Sequence, residues 1–301
     1  MDEGQYYGRS HDAVYAERPI NHLQITALFY LPKIQTIDIL LPSTMREFQW
    51  PSVAPRATTL TTLVLRSTIC GEDTLEKLLR ATSSLKRLYY NRFYDNGTSC
   101  QKVTREYRVP CPPSLSKALQ HVHRTLEVLT VIIENYRYAN HDFDQSIDDD
   151  IYRGSAEGLG SLSNFTYLRE MEFPVELLLG QQRHTQGLRP TEPVSLQDLF
   201  PGSITEICLR NDLSNFVADY PWHPEDLIIP LRAFLQGLEL RARFPHLRTL
   251  HLSFQNTFWW SGKYRDGFMM EVAEHCLIAG IDFVQRYERR HYYTRKESSH
   301  D

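Results

Sequence analysis

The segment 57-ATTLTTLVL-65 places apolar side chains at its first, fourth, seventh and ninth positions, which are Ala57, Leu60, Leu63 and Leu65. In an extended strand, alternate side chains point to opposite faces. Leu63 and Leu65 are therefore expected to face a core, while the residues beside them face outward. One such strand cannot bury its apolar face alone, so the pattern predicts that neighbouring copies stack against it.

The same spacing recurs along the chain, in some copies with one position missing. The further copies are Leu31/Ile34/Ile37/Ile39, Leu85/Leu88/Tyr90, Leu126/Leu129/Val131, Phe165/Leu168/Met171/Phe173, Ile204/Ile207/Leu209 and Phe244/Leu247/Leu250/Leu252. This spacing is the core pattern of leucine-rich repeats. It predicts an α/β fold, a leucine-rich-repeat-like solenoid (horseshoe) with a parallel concave sheet and convex helices. The strands are expected at residues 37–39, 63–65, 88–90, 129–131, 171–173, 207–209 and 250–252.

Apolar residues at helical spacing between these strands predict the convex layer. The stretch 73–76 resembles a capping box for a first helix, and Pro230 is expected as the first residue of a later one. A last helix around 269–276 is expected to stop at Gly280, before a closing strand at 281–284. A helix over 20–30 is predicted to cap the first repeat. The residues available for its packing are Leu23, Ala27, Leu28 and Tyr30.

The intervals between successive seventh positions are uneven, at 26, 25, 41, 42, 36 and 43 residues. The first two are typical of leucine-rich repeats, whereas the others carry about 10–20 extra residues. These extra residues are expected to follow the strands and to form loops on one rim of the solenoid. They occupy 92–112, 135–153, 175–193, 211–226 and 254–266.

The composition of the chain argues against a nucleic-acid-binding or membrane-spanning protein. The chain has 301 residues, a formal net charge of -4 and five cysteines without a Cys-x-x-Cys pair. This charge gives no basic stripe for nucleic acid, and no apolar run reaches the ~20 residues that a membrane helix needs. The thiols and the polar start predict an intracellular protein of the cytoplasm or nucleus. We expect a polar tail over 1–18, the repeats over 19–288 and a second polar tail over 289–301.

Three stretches of the chain resemble fungal F-box/leucine-rich-repeat proteins. They are ITALFYLPKIQTI (25–37), FPHLRTLHL (244–252) and CLIAGIDF (276–283). The resemblance covers roughly 20–288. It implies a substrate receptor of a cullin-type ubiquitin ligase, in which the F-box holds the ligase adaptor and the repeats hold the target.

The sequence departs from that family at its N-terminal end. An F-box needs helices, but Pro42, Pro51 and Pro55 interrupt the segment where they are expected. The sequence therefore predicts a relative that lacks the F-box and does not bind the adaptor directly. It predicts a protein–protein interaction module with an unknown protein target, and the alternatives are a scaffold unrelated to ubiquitin or an enzyme.

Residues that point outward from the strands form the candidate binding surface. Arginine, glutamate, tyrosine and histidine side chains in one face suit a protein partner, although a plain solvated face has the same composition. On the concave face the candidates are Asp38, Arg66, Arg87, Tyr89, Asn91, Glu170, Glu172, Glu206, Arg210 and His251. On the rim loops they are Arg92, Tyr94, Tyr136, Tyr138 and Trp222.

Catalytic and metal-binding motifs are not found in the sequence. There is no G-x-S-x-G, H-E-x-x-H, P-loop or dinucleotide fingerprint, so no catalytic residue, cofactor or metal site is predicted. The acidic stretch 141–150 lacks the spacing of an EF-hand and is interpreted as a solvated loop. The enzyme alternative depends on Cys208 and His251, which the repeat register places side by side.

Overall fold

Eight parallel strands form one open sheet in this computed structural model, which describes residues 22–40, 48–68, 70–95, 110–136, 158–180, 195–212, 224–254 and 263–286. Each strand pairs with the strands before and after it in the sequence. The strands are β1 (Thr36–Leu40), β2 (Thr62–Thr68), β3 (Arg87–Asp95), β4 (Val128–Tyr136), β5 (Glu170–Pro174), β6 (Glu206–Arg210), β7 (Thr249–Ser253) and β8 (Asp282–Arg286). The predicted parallel sheet, with one strand in each repeat and a closing strand, is confirmed.

The register of the sheet follows the repeat pattern. Leu63 lies beside Ile37 in β1 and beside Leu88 in β3. The same column continues through Leu129, Met171, Ile207, Leu250 and Phe283. The seventh position of each repeat therefore occupies one line across the sheet. One irregularity interrupts the ladder, between Leu65 and Thr68 of β2.

Helices alternate with the strands, as expected for an α/β fold. They are α1 (His22–Leu28), α2 (Glu72–Arg80), α3 (Pro112–Leu119, continued by a 3₁₀ turn Gln120–Val122), α4 (Val175–Leu179), α5 (Leu196–Leu199), α6 (Pro224–Gln236), α7 (Leu240–Arg243) and α8 (Lys263–Ala279). Gly280 follows α8 with a φ of 67°, in the left-handed region that favours glycine at a helix end. The predicted stop at Gly280 is confirmed.

Two helix starts differ from the sequence prediction. The residue that precedes α2 is Gly71, and no side chain caps the helix, so the predicted capping box at 73–76 is wrong. Pro230 lies inside α6 and not at its start. The earlier apolar residue Leu227 is fully buried, and its burial favours a helix that begins before the proline despite the hydrogen bond that a proline removes.

One hydrophobic cluster joins the helices to a single face of the sheet. It contains Leu63 and Leu65 of β2 together with Leu75, Leu78 and Leu79 of α2, all almost fully buried. Equivalent residues of the other repeats continue the cluster. Among the described residues, the cluster includes no strand residue whose side chain points to the opposite face. The described helices therefore cover one side of the sheet.

The N-terminal helix packs through part of the predicted face. Leu28 packs against the cluster, and the Tyr30 ring makes an edge-to-face contact with Trp50 at 6.2 Å between centroids, although Tyr30 is 39% exposed. Ala27 is exposed, so its prediction as a packing residue is wrong. The buried residues that the prediction missed are Ile25 and Phe29, and Phe29 forms an edge-to-face contact with Trp50 at 5.4 Å.

The segments predicted as rim loops begin with ordered structure. β3 and β4 extend to Asp95 and Tyr136, and α4 occupies the start of 175–193 with all five of its residues buried. Most of the remaining insertion residues, as well as the predicted tails 1–18 and 289–301, lie outside the described residues. No described helix is both long enough and apolar enough to span a membrane.

Candidate functional site

The outer face is the side of the sheet that points away from the helix layer. Its central line runs across all eight strands. The residues of this line are Asp38, Val64, Tyr89, Thr130, Glu172, Cys208, His251 and Val284. Most of the candidate binding residues lie on this line or beside it, because strand residues two apart share a face.

Several candidates are accessible on the outer face. Asp38, Arg66, Arg87 and Glu170 are exposed. The half-buried candidates are Tyr89, Glu172 and Glu206. The strands thus place acidic, basic and aromatic groups on the same surface.

Three other candidates of the outer face are buried. Asn91 is 5% exposed, Arg210 is 2% exposed and His251 is 7% exposed. The expectation that alternate strand residues are solvated is wrong at these positions. Arg210 and His251 also pack against charged neighbours, described below.

Three of the five candidates that were predicted on rim loops lie in strands. Arg92, Tyr94 and Tyr136 belong to β3 and β4, and not to loops. Arg92 points to the helix side like Tyr90, and is 2% exposed. Its Nη1 donates to the Cys70 carbonyl, which the Tyr90 hydroxyl also bonds at 3.1 Å. The remaining two candidates, Tyr138 and Trp222, lie outside the described residues.

Asp38, Arg66 and Tyr89 form an exposed cluster on β1, β2 and β3. Arg66 Nε and Nη2 donate to the two carboxylate oxygens of Asp38, both at 2.8 Å. The Arg66 guanidinium also lies over the Tyr89 ring, 5.8 Å from its centroid. The Arg66 hydrogen bonds hold the pKa of Asp38 below its usual range. The bidentate pair and the ring thus fix three side chains that face solvent.

A buried network occupies the outer face at β5 and β6. Arg210 Nη1 donates to Glu172 Oε1 at 2.5 Å, and Arg210 Nε lies 3.0 Å from both carboxylate oxygens of Asp212. Asp212 is fully buried and accepts a hydrogen bond from the backbone N–H of Ile133 at 2.9 Å. The pairing of β4 with β5 ends at Glu172. Beyond that point, the Asp212 carboxylate takes the place of a β5 partner for the Ile133 amide of β4.

A second group of charges adjoins this network. His251 Nε2 lies 2.7 Å from Glu206 Oε1. Arg286 of β8 lies 3.3 Å from Glu206 and 3.9 Å from Glu172, with 43% of its side chain exposed. Burial, aided by the Arg286 charge, holds the pKa of His251 below its usual range, against the opposing effect of Glu206.

His251 gives the protein a specific pH dependence. Because the pKa of His251 is lower in the folded state, its contribution to stability is complete above about pH 6.5, the unfolded value, and is lost as the pH falls. We expect wild-type protein to lose more thermal stability between pH 7.5 and 5.5 than His251→Gln, measured by differential scanning calorimetry. His246→Gln, at an exposed turn, should keep the wild-type pH dependence. Parallel pH profiles for wild type and His251→Gln would contradict this account.

Cys208 and His251 lie side by side in the sheet, as predicted. The two residues are register partners in β6 and β7. However, Cys208 is 2% exposed, so its thiol is shielded from solvent. This burial gives no support to a nucleophilic role.

The described ranges contain no cluster of metal-binding side chains. No group of three or more histidine, cysteine, aspartate or glutamate residues there is placed to hold a metal ion. The acidic stretch 141–150 lies outside the described residues.

Asp212 and Arg286 are the members of the two charged groups that sequence reasoning missed. Asp212 follows β6 directly, where the repeat pattern predicts the start of a loop. The available signal was the run Arg210-Asn211-Asp212 in the repeat after Glu172. An arginine at the end of a strand, with an aspartate two residues later and a glutamate one repeat earlier, is typical of a cross-strand ion pair.

No protein-family model, curated protein or solved structure matches the chain.

Proposed function

We propose that the chain is a leucine-rich-repeat-like solenoid that binds another protein through the outer face, which forms the concave side of a horseshoe. The observation that carries the proposal is the one-sided helix layer. Parallel sheets are normally covered on both faces, yet the described helices pack against one face only. A protein partner would cover the part of the other face that is exposed on β1–β3, whereas Cys208, Arg210 and His251 of that face are already buried in the chain itself.

The chemistry of the outer face supports a protein ligand. Interfaces are enriched in arginine and aromatic residues, and their strongest contacts come from side chains held in a fixed geometry. Arg66 is fixed by Asp38 and lies over the Tyr89 ring. The exposed Arg87 is two residues from Tyr89 on the same strand face. This part of β1–β3 is the proposed centre of the contact.

A receptor related to F-box proteins, but without an F-box, is the form of this function that the repeat sequence favours. In that role the outer face would hold the target, and another protein would supply the link to the ligase. A scaffold unrelated to ubiquitin would use the same surface. Mass spectrometry of the proteins that the purified chain captures from cell extract distinguishes the two: ligase components brought in by a linking protein are expected for the receptor, and none is expected for the scaffold.

Replacing Arg87 and Tyr89 together by alanine tests the proposed contact. We expect the amount of captured partner to fall at least about tenfold, because loss of an interface anchor costs 2 kcal/mol or more. The melting temperature should stay within a few degrees of wild type, because exposed and half-buried substitutions cost about 1 kcal/mol or less. Quantitative mass spectrometry of the captured proteins and calorimetry of the variant provide the two measurements.

The matched control is Tyr167→Ala/Arg169→Ala, which removes the same two residue types at exposed positions in the turn before β5. It should capture partner like wild type. Equal loss of capture by both variants, or unchanged capture by the Arg87/Tyr89 variant, would contradict the proposal.

A further inference from the structure

The last strand of the sheet leaves one edge without a partner among the described residues. β8 pairs with β7 on one side, and no other described strand lies beside it. Such an edge presents backbone N–H and C=O groups that can pair with another strand. Short edge strands resist this pairing when charges or prolines block it, but β8 (Asp282-Phe283-Val284-Gln285-Arg286) contains no proline.

The helix beside this edge also exposes apolar side chains. Glu271 and His275 of α8 face α6, where Arg232 Nε donates to Glu271 at 3.0 Å and Gln236 Nε2 lies 3.3 Å from His275 Nδ1. Met270 and Leu277 lie on the side away from these contacts and are 69% and 79% exposed.

We propose that two copies of the chain associate through this edge, with β8 pairing antiparallel to β8 around a two-fold axis at Val284. The sequence of β8 is complementary to itself in this register. Asp282 of each copy lies opposite Arg286 of the other, and Val284 lies opposite its own counterpart. All three point to the outer face, where Asp282 and Arg286 are exposed and Val284 is 37% exposed. Opposite charges facing each other across strands stabilise pairing.

The exposed helix residues fit the same association. With β8 paired, Met270 and Leu277 of the two copies approach each other above the joined sheet and are removed from water. In the single chain the Arg286 guanidinium extends across β7 to Glu206 and Glu172, so pairing of β8 requires Arg286 to exchange these contacts for Asp282 of the second copy. The two outer faces then form one continuous surface of sixteen strands, and both proposed binding surfaces face the same side.

Cross-linking of the full chain tests the register. In a background with Cys100→Ser and Cys111→Ser, Val284→Cys should form a covalent dimer on oxidation with copper–phenanthroline and dioxygen. Directly opposite antiparallel residues have Cα atoms about 4.5–5.5 Å apart, within disulfide range. Asp282→Cys is the matched control, because residues 282 of the two copies would lie roughly 13 Å apart. Cross-linking of the control alone, or of neither variant, would overturn the proposal.

Sedimentation velocity over a range of concentrations tests the association itself. Wild-type chain should dimerise, and Asp282→Lys should weaken dimerisation about tenfold, because it places like charges opposite each other at two symmetric positions. Glu239→Lys makes the same charge change at an exposed turn outside the edge and should dimerise like wild type. Circular dichroism confirms that each variant is folded. Wild-type protein that stays monomeric, or equal weakening by both variants, would overturn the proposal.

Discussion

Replacing Leu63 by alanine is expected to lower the free energy of unfolding by roughly 2–5 kcal/mol. Leu63 is fully buried in β2, where Ile37 and Leu88 flank it and the leucines of α2 belong to the same hydrophobic cluster. The alanine removes three carbon atoms from a closely packed site, and the strands on both sides limit how far the cavity can close. Urea unfolding monitored by circular dichroism measures the loss.

The matched control for this prediction is Leu238→Ala. Leu238 lies fully exposed between α6 and α7, so the same chemical change removes no buried surface there. Its free energy of unfolding should stay within about 0.5 kcal/mol of wild type. Similar losses for the two variants would show that the assignment of Leu63 to the core face is wrong.

Replacing Arg210 by methionine is expected to cost roughly 3–5 kcal/mol, a loss that urea unfolding also measures. The guanidinium lies between Glu172 and Asp212, and Asp212 is fully buried. Methionine fills much of the same volume but removes the hydrogen bonds that the guanidinium donates to Glu172 and Asp212. Because the Asp212 carboxylate also accepts a hydrogen bond from the Ile133 amide, we expect the variant to destabilise the end of β4 as well.

Two further variants isolate the charge effect. Arg66→Met makes the same change in the exposed pair with Asp38 and should leave stability close to wild type, because solvent screens that pair. Adding Asp212→Asn to Arg210→Met removes the carboxylate that the guanidinium binds while keeping an acceptor for Ile133, and should recover part of the loss. If the double variant is no more stable than Arg210→Met, loss of the Arg210–Asp212 charge pair is not the cause.

The sheet register was predictable from the sequence because the apolar positions of each repeat encode it. Leu63, Leu88 and Leu129 are the seventh positions of successive repeats, and they lie side by side in the sheet. A shift of one residue would turn every core side chain outward, so burial alone selects one register. The exposed candidates Asp38, Arg66 and Arg87 followed from the same alternation.

The buried charges were not predictable in this way. Arg92 and Arg210 occupy positions that local alternation or the repeat length assigns to solvent. Each has a partner far away in the chain: the Cys70 carbonyl is 22 residues before Arg92, and Glu172 is 38 residues before Arg210, although Asp212 is only two residues after Arg210. An arginine is stable in such a site only when these acceptors are present, and a repeat pattern contains no information about them. The prediction that Pro230 begins a helix was wrong for a related reason. Burial of Leu227 outweighed the local preference of proline for the first position of a helix.

The order of the strands in the sheet equals their order in the sequence, and this shapes how the protein folds. Any two adjacent repeats can form their interface before the rest of the chain is made, and growth then adds one repeat at a time in either direction. No step requires the two ends of the chain to meet, so the entropy of closing a long loop is avoided. A chain emerging from the ribosome can therefore begin to fold once its first repeats are synthesised.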